Sequence, residues 1–188
     1  MIQFIVASAR YRDIFSRVFA IVAGILGFLI VTLLSTTVIL RSLGTTILWD
    51  FETARLLFAF GLGAGMIALS LSDTHFRVSV FSDQTASITK PDRFEAARQL
   101  GVAAVTGFIF WVGWPTIPIA SGNKFATIPF TLGSLRLATV LAMAGMCLAH
   151  LWSFGEVVAR RRLRATDPDG FAALISSPVE IDESKGQI

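Results

Sequence analysis

Between Val18 and Leu40 the chain runs for 23 residues without a charged side chain. An α-helix rises about 1.5 Å per residue, and crossing bilayer hydrocarbon takes about 20 mostly apolar residues. This run is long enough to span, and three more stretches qualify. Phe51–Leu71 carries charges only in its first turn, as Glu52 and Arg55. Leu100–Ile119 is free of charge and ends in Pro115 and Pro118. Thr131–Phe154 holds Arg136 near its start and His150 near its end. Only 15% of the 188 residues are charged and 54% are hydrophobic; a soluble domain carries about a quarter charged.

These lengths predict an all-α integral membrane protein with four transmembrane helices, at about 18–40, 51–71, 96–119 and 131–154. Residues 1–17 read as a cytoplasmic N-terminal segment, 18–155 as the membrane domain and 156–188 as a cytoplasmic tail, disordered beyond about Ser176. The first run exceeds the roughly 7–15 residue core of a signal peptide, and no Ala-x-Ala-like site follows it. It reads as a retained helix.

Lys and Arg in short loops favour the cytoplasmic side. One side collects twelve: Arg10, Arg12 and Arg17; Arg77, Lys90, Arg93 and Arg98; and Arg160, Arg161, Arg162, Arg164 and Lys185. The other keeps four, Arg41, Arg55, Lys124 and Arg136. Both termini are therefore expected in the cytoplasm. Trp49, Trp111 and Trp114 then fall at outer ends and Trp152 at an inner end, the interface positions that amphipathic rings prefer. The net charge of +3 follows from this topology, and nothing points to nucleic acid. The arginines of the tail are expected to meet anionic lipid heads.

The longest inner loop, Ser72 to Phe94, begins with Phe76, Val78, Val80 and Phe81 among polar residues. That pattern reads as an amphipathic segment in the interface plane. Thr89 and Pro91 suit a helix start, so the third helix is expected to begin near Pro91.

Small residues four apart let membrane helices approach closely. Such pairs are Ala20 with Gly24, Ala23 with Gly27, Gly61 with Gly65, Ala103 with Gly107, and Gly145 with Ala149. Gly61, Gly63 and Gly65 resemble a phosphate loop only superficially, because no strand precedes them and no Lys-Ser/Thr follows. Packing is the reading. The one cysteine, Cys147, forms no internal disulfide, and no Cys/His cluster has metal-ligand spacing. Asp50, Glu52, Asp73 and Glu156 form no carboxylate pair in a plausible cleft. An enzyme is not expected, nor is a cofactor. A carrier acting alone usually has broken helices and polar residues at mid-membrane; here only the third span is interrupted, near its outer end.

Glu52 and Arg55 stand three apart on one helix face at the entry to the second span, where they can pair. Alternatively they lock this helix to Arg41 or to a partner subunit. At the exit of the same span come His75 and Arg77.

The run VILRSLGTTILWDFETARLLFAFGLGA, followed by an apolar helix closed by THFRV, resembles the small permease subunit of TRAP (tripartite ATP-independent periplasmic) transporters, the DctQ-like family. The matching positions are Arg41 at the end of the first helix, Trp49, Glu52, Ala54 with Arg55, Gly63 with Ala64, and His75 with Val78. The likeness is dense from about Val38 to Val80, and beyond Arg98 it is one of pattern. Ser79 stands where the family usually has Asp. The resemblance implies an inner-membrane, multi-pass scaffold beside a large DctM-like permease that carries the sodium and substrate sites. It also implies a periplasmic binding protein that delivers an organic acid. Arg41, Trp49, Glu52, Arg55, Gly63, His75 and Arg77 then become motif and subunit-interface residues: Glu52 and Arg55 fix the outer end of helix two, His75 and Arg77 its inner end.

The rival reading rests on the two histidines, His75 and His150. Haem between two imidazoles would make the chain a membrane anchor of a redox complex. Their unequal depths, one in a loop and one inside a span, argue against it.

Overall fold

The computed structural model describes residues 2–72 and 91–166, with side chains from Ala7 to Ser72 and from Phe94 to Thr166. His75, Arg77 and the expected interfacial segment lie outside the described residues, as does the tail beyond Thr166. Five helices are present among the described residues: α1 (Ile2–Ser42), α2 (Asp50–Ser72), α3 (Pro91–Gly113), the short α4 (Thr116–Ser121) and α5 (Leu132–Thr166). Four of them, all but α4, are long and apolar enough to cross a membrane. Among the described residues the only pairing outside helices is an isolated antiparallel bridge between Lys124 and Thr131.

The helices form a row in which α1 packs on α2, α2 on α5, and α5 on α3. α5 also meets α1 near the ends where α1 begins and α5 finishes. Its position between neighbours explains its buried small face: Gly133, Ala138, Ala142 and Ala149. On α2, Gly63 sits so close to α5 that a Cβ there would lie 3.0 Å from the Ala142 Cβ. Gly61 and Gly65 turn instead to Leu26 and Ala23 of α1, with a Cβ reaching 3.2 and 3.7 Å. The expected packing glycines therefore divide between two neighbours, because successive residues of a helix point about 100° apart. Gly24 and Gly27 of α1 have nothing within 4 Å of such a Cβ, so their face is not used inside this chain.

α1 is 41 residues long, about 60 Å at the α-helical rise. It is continuous through residues 2–17 and projects well past a hydrocarbon layer about 30 Å thick. It stops in a Schellman turn: Gly44 takes φ +82°, its N–H reaches the Arg41 carbonyl at 3.1 Å, and the Thr45 N–H reaches the Leu40 carbonyl at 2.9 Å. The third span does not run unbroken to Ile119. Pro115 has no N–H to continue the ladder, so α3 ends at Gly113 and the chain restarts as α4. α3 begins at Pro91, as the Thr-x-Pro signal indicates.

Candidate functional site

The polar contacts gather at the two ends of the bundle, with one chain of side chains reaching inward. At the end of the bundle where α1 finishes, α2 opens with Asp50 and Glu52, acids that suit the positive end of a helix dipole. Glu52 does not pair with Arg55. Its carboxylate turns to the loop between α4 and α5 and accepts the N–H groups of Ala126 and Thr127, each at 2.9 Å. It also accepts the Thr127 hydroxyl. The loop is shaped to present those groups: Phe125 N–H bonds the Phe130 carbonyl at 3.0 Å, and Leu132 N–H bonds the Asn123 carbonyl at 2.9 Å. Arg55 is exposed, one turn along α2.

Arg41 ends α1 at the same level and is exposed. Together with Thr37, Thr46, Ile47, Leu48, Asp50 and Phe51 it lines a cavity of about 250 Å³. Trp49 precedes α2 and is 46% exposed; its carbonyl accepts the Thr53 N–H at 3.1 Å.

The opposite end is tied by contacts between residues that the sequence did not bring together. Glu156 of α5 is buried and accepts the Ser8 hydroxyl of α1 at 2.6 Å. Its second oxygen lies 3.2 Å from Arg12 Nη1. Trp152 donates its indole N–H to Ser8 at 2.7 Å and meets Phe15 edge-on, with ring centroids 6.3 Å apart. Ser16 donates to the Ala68 carbonyl at 3.0 Å, adding α2 to the knot.

Between α3 and α5 a buried chain runs from the surface inward. Arg98 holds Glu95 at 2.5 Å. The Gln99 amide Nε2 donates to Glu95 at 3.0 Å, and Gln99 Oε1 lies 2.6 Å from His150 Nδ1. A carboxylate oxygen only accepts, so Gln99 must donate there and accept at its other atom. His150 therefore carries its proton on Nδ1. The signal for this chain was a lone Gln facing an apolar helix; its partner, 51 positions away, was not legible.

Among the described residues no three His, Cys, Asp or Glu side chains are grouped to hold a metal. The contacts tie helix to helix and loop to helix. Among known families, residues 30–160 fit the model described as tripartite ATP-independent periplasmic transporters, DctQ component. Comparison with the curated proteins and with the solved structures finds no match.

Proposed function

Since the chain belongs to the DctQ family, we propose that it is the fixed frame against which a large, DctM-like permease moves, without itself binding the transported solute. It is a small inner-membrane, multi-pass component of a TRAP transporter and not an enzyme. That membership decides against the redox anchor. In the proposed assembly the large permease couples sodium entry to uptake, and a periplasmic binding protein delivers an organic acid. The observation that carries the reading is the unused face of α1. No residue of its most apolar window is buried within the chain. Ala20 and Gly24 are exposed on one stripe, and nothing stands within 4 Å of where a Gly24 side chain would begin. Small residues facing outward suit a close helix–helix contact with another subunit, while the other three spans are already engaged around α5.

Arg41, Trp49, Glu52, Arg55, Gly63, His75 and Arg77 hold this frame or meet its partner. Glu52 and Gly63 act within the chain, on the outer loop and on α5. Arg55 and Trp49 face outward and are the residues for a partner.

Tagged full-length protein purified in mild detergent from its own membranes tests the assembly. A large multi-span permease at near-equal amount is the expected companion. Redox subunits, or no companion at all, would overturn the reading. Replacing Gly24 by Leu should reduce that companion while leaving the helical content of the chain unchanged.

A further inference from the structure

The cavity at the outer end of α1 and α2 contains a pairing of charges that the frame does not use. Asp50 is only 2% exposed yet lines the cavity. Its Oδ1 accepts the Phe51 N–H at 2.8 Å, a fraction of the four lone-pair sites that a carboxylate offers. Arg41 lines the same cavity, and a guanidinium is built for bidentate binding of phosphate. The two share the cavity without forming an ion pair. A buried carboxylate is costly unless a cation or donors meet it. A single ligand carrying both an ammonium and a phosphate suits the two charges at once.

Depth and surroundings select the source of that ligand. The cavity opens where the two spans end, beside Trp49, and amphipathic rings mark the headgroup level. Its flanks are apolar and uncovered: Val38, Ile39, Leu48 and Phe51 are all at least 60% exposed. These are surfaces for acyl chains. A volume of about 250 Å³ falls below the roughly 300–1,000 Å³ of sites that enclose a drug-sized molecule. It suits a headgroup whose tails lie outside.

We infer that this cavity binds the headgroup of a phospholipid bearing a primary amine, of the phosphatidylethanolamine type, with Arg41 on the phosphate and Asp50 on the ammonium. The inference does not depend on the transporter reading.

Native mass spectrometry tests it. Full-length protein is exchanged into mixed micelles holding equal amounts of phosphatidylethanolamine and phosphatidylglycerol, and the retained lipid is counted. Wild type should retain the amine lipid in preference. Asp50→Asn should lower the amine-to-glycerol ratio about tenfold, a change of about 1.4 kcal/mol, while still holding phosphate. Arg41→Gln should weaken retention of both lipids. Thr46→Leu narrows the cavity without touching a charge and should also lower retention, which covers the case in which Asp50→Asn does not fold. Equal retention of the two lipids by wild type, or an unchanged ratio in a folded Asp50→Asn protein, overturns the inference. Displacement of lipid by an equal concentration of free phosphoethanolamine would assign the cavity to a soluble zwitterion, and so overturn the lipid source.

Discussion

Glu52 and Thr127, 75 positions apart, are joined through both the backbone N–H and the hydroxyl of the threonine. One carboxylate in the first turn of α2 thereby fixes the loop that links α4 to α5. The loop's other bonds are internal, between Phe125 and Phe130 and between Leu132 and Asn123, and Ala126, Thr127 and Pro129 are exposed. Removing the carboxylate should free it. In Glu52→Ala, amide hydrogen exchange at Ala126 and Thr127 should rise severalfold, with α2 and α5 unchanged. Glu52→Gln keeps an acceptor and should fall between the two. If the loop also contacts the large permease or the binding protein, transport falls in the same order. Unchanged exchange at Ala126 and Thr127 in a folded Glu52→Ala protein would sink the anchoring role.

The knot between the start of α1 and the end of α5 is a different kind of contact, because it is buried. Glu156 is 5% exposed and Arg12 16%. Glu156→Ala takes away the carboxylate that Arg12 and Ser8 face, and losing one member of a buried pair costs about 3–5 kcal/mol. Trp152→Phe keeps the ring and loses one hydrogen bond to Ser8, worth about 1 kcal/mol. Thermal unfolding in detergent should therefore rank Glu156→Ala well below Trp152→Phe, and both below wild type. A Glu156→Ala protein as stable as wild type would show that the two helix ends are not joined this way.

How much of this was legible depends on the range of each interaction. Span positions follow from local hydrophobic length, so four helices could be counted from the sequence, and Pro115 marked the interruption before α4. Gly63 was recognisable as a packing glycine because only a close neighbour explains one there. Glu52 stood out as an acid at a helix entry, with its partner left open among Arg55, Arg41 and another subunit. Arg55 stands one turn away, and the true partners lie across the bundle, where no local pattern points. Glu156 fell at the start of the expected cytoplasmic tail, just before an arginine run. Its burial comes from α1, which continues as helix to Ile2 and covers it.

The α2–α5 contact offers a packing test. A side chain at Gly63 would begin 3.0 Å from the Ala142 Cβ and 3.6 Å from the Ala138 carbonyl oxygen. Backbone and a Cβ cannot step aside as the end of a long side chain can. Gly63→Val should cost about 1–3 kcal/mol by overpacking. Adding Ala142→Gly should recover part of that loss, and the shortfall from additivity measures the contact. Equal damage by Gly63→Val in both backgrounds would place the clash elsewhere.

Gln99 and His150 test the buried chain by its asymmetry. Gln99→Leu removes the acceptor of the His150 Nδ1–H inside the bundle, which costs about 1–3 kcal/mol. Replacing both, Gln99→Leu with His150→Leu, removes the polar pair together and should restore most of the stability. The double variant being worse than Gln99→Leu alone would show that His150 is held mainly by other groups.

The side of the membrane on which the termini lie rests on charge, and it is open to direct labelling. Ser8 touches Glu156, so the start of α1 and the end of α5 share one side whatever the orientation. From the sequence, twelve of the sixteen Lys and Arg residues are expected on that side, and cationic loops favour the cytoplasm. In a Cys147→Ser background, a cysteine at Asn123 reports the loop clasped by Glu52, and one at Ser177 reports the tail. A membrane-impermeant maleimide should label Asn123→Cys in spheroplasts and Ser177→Cys only after the membrane is opened. The reverse pattern would place the Glu52 clasp and the Arg41–Asp50 cavity on the cytoplasmic face. Contact between the loop and a periplasmic binding protein would then be geometrically ruled out.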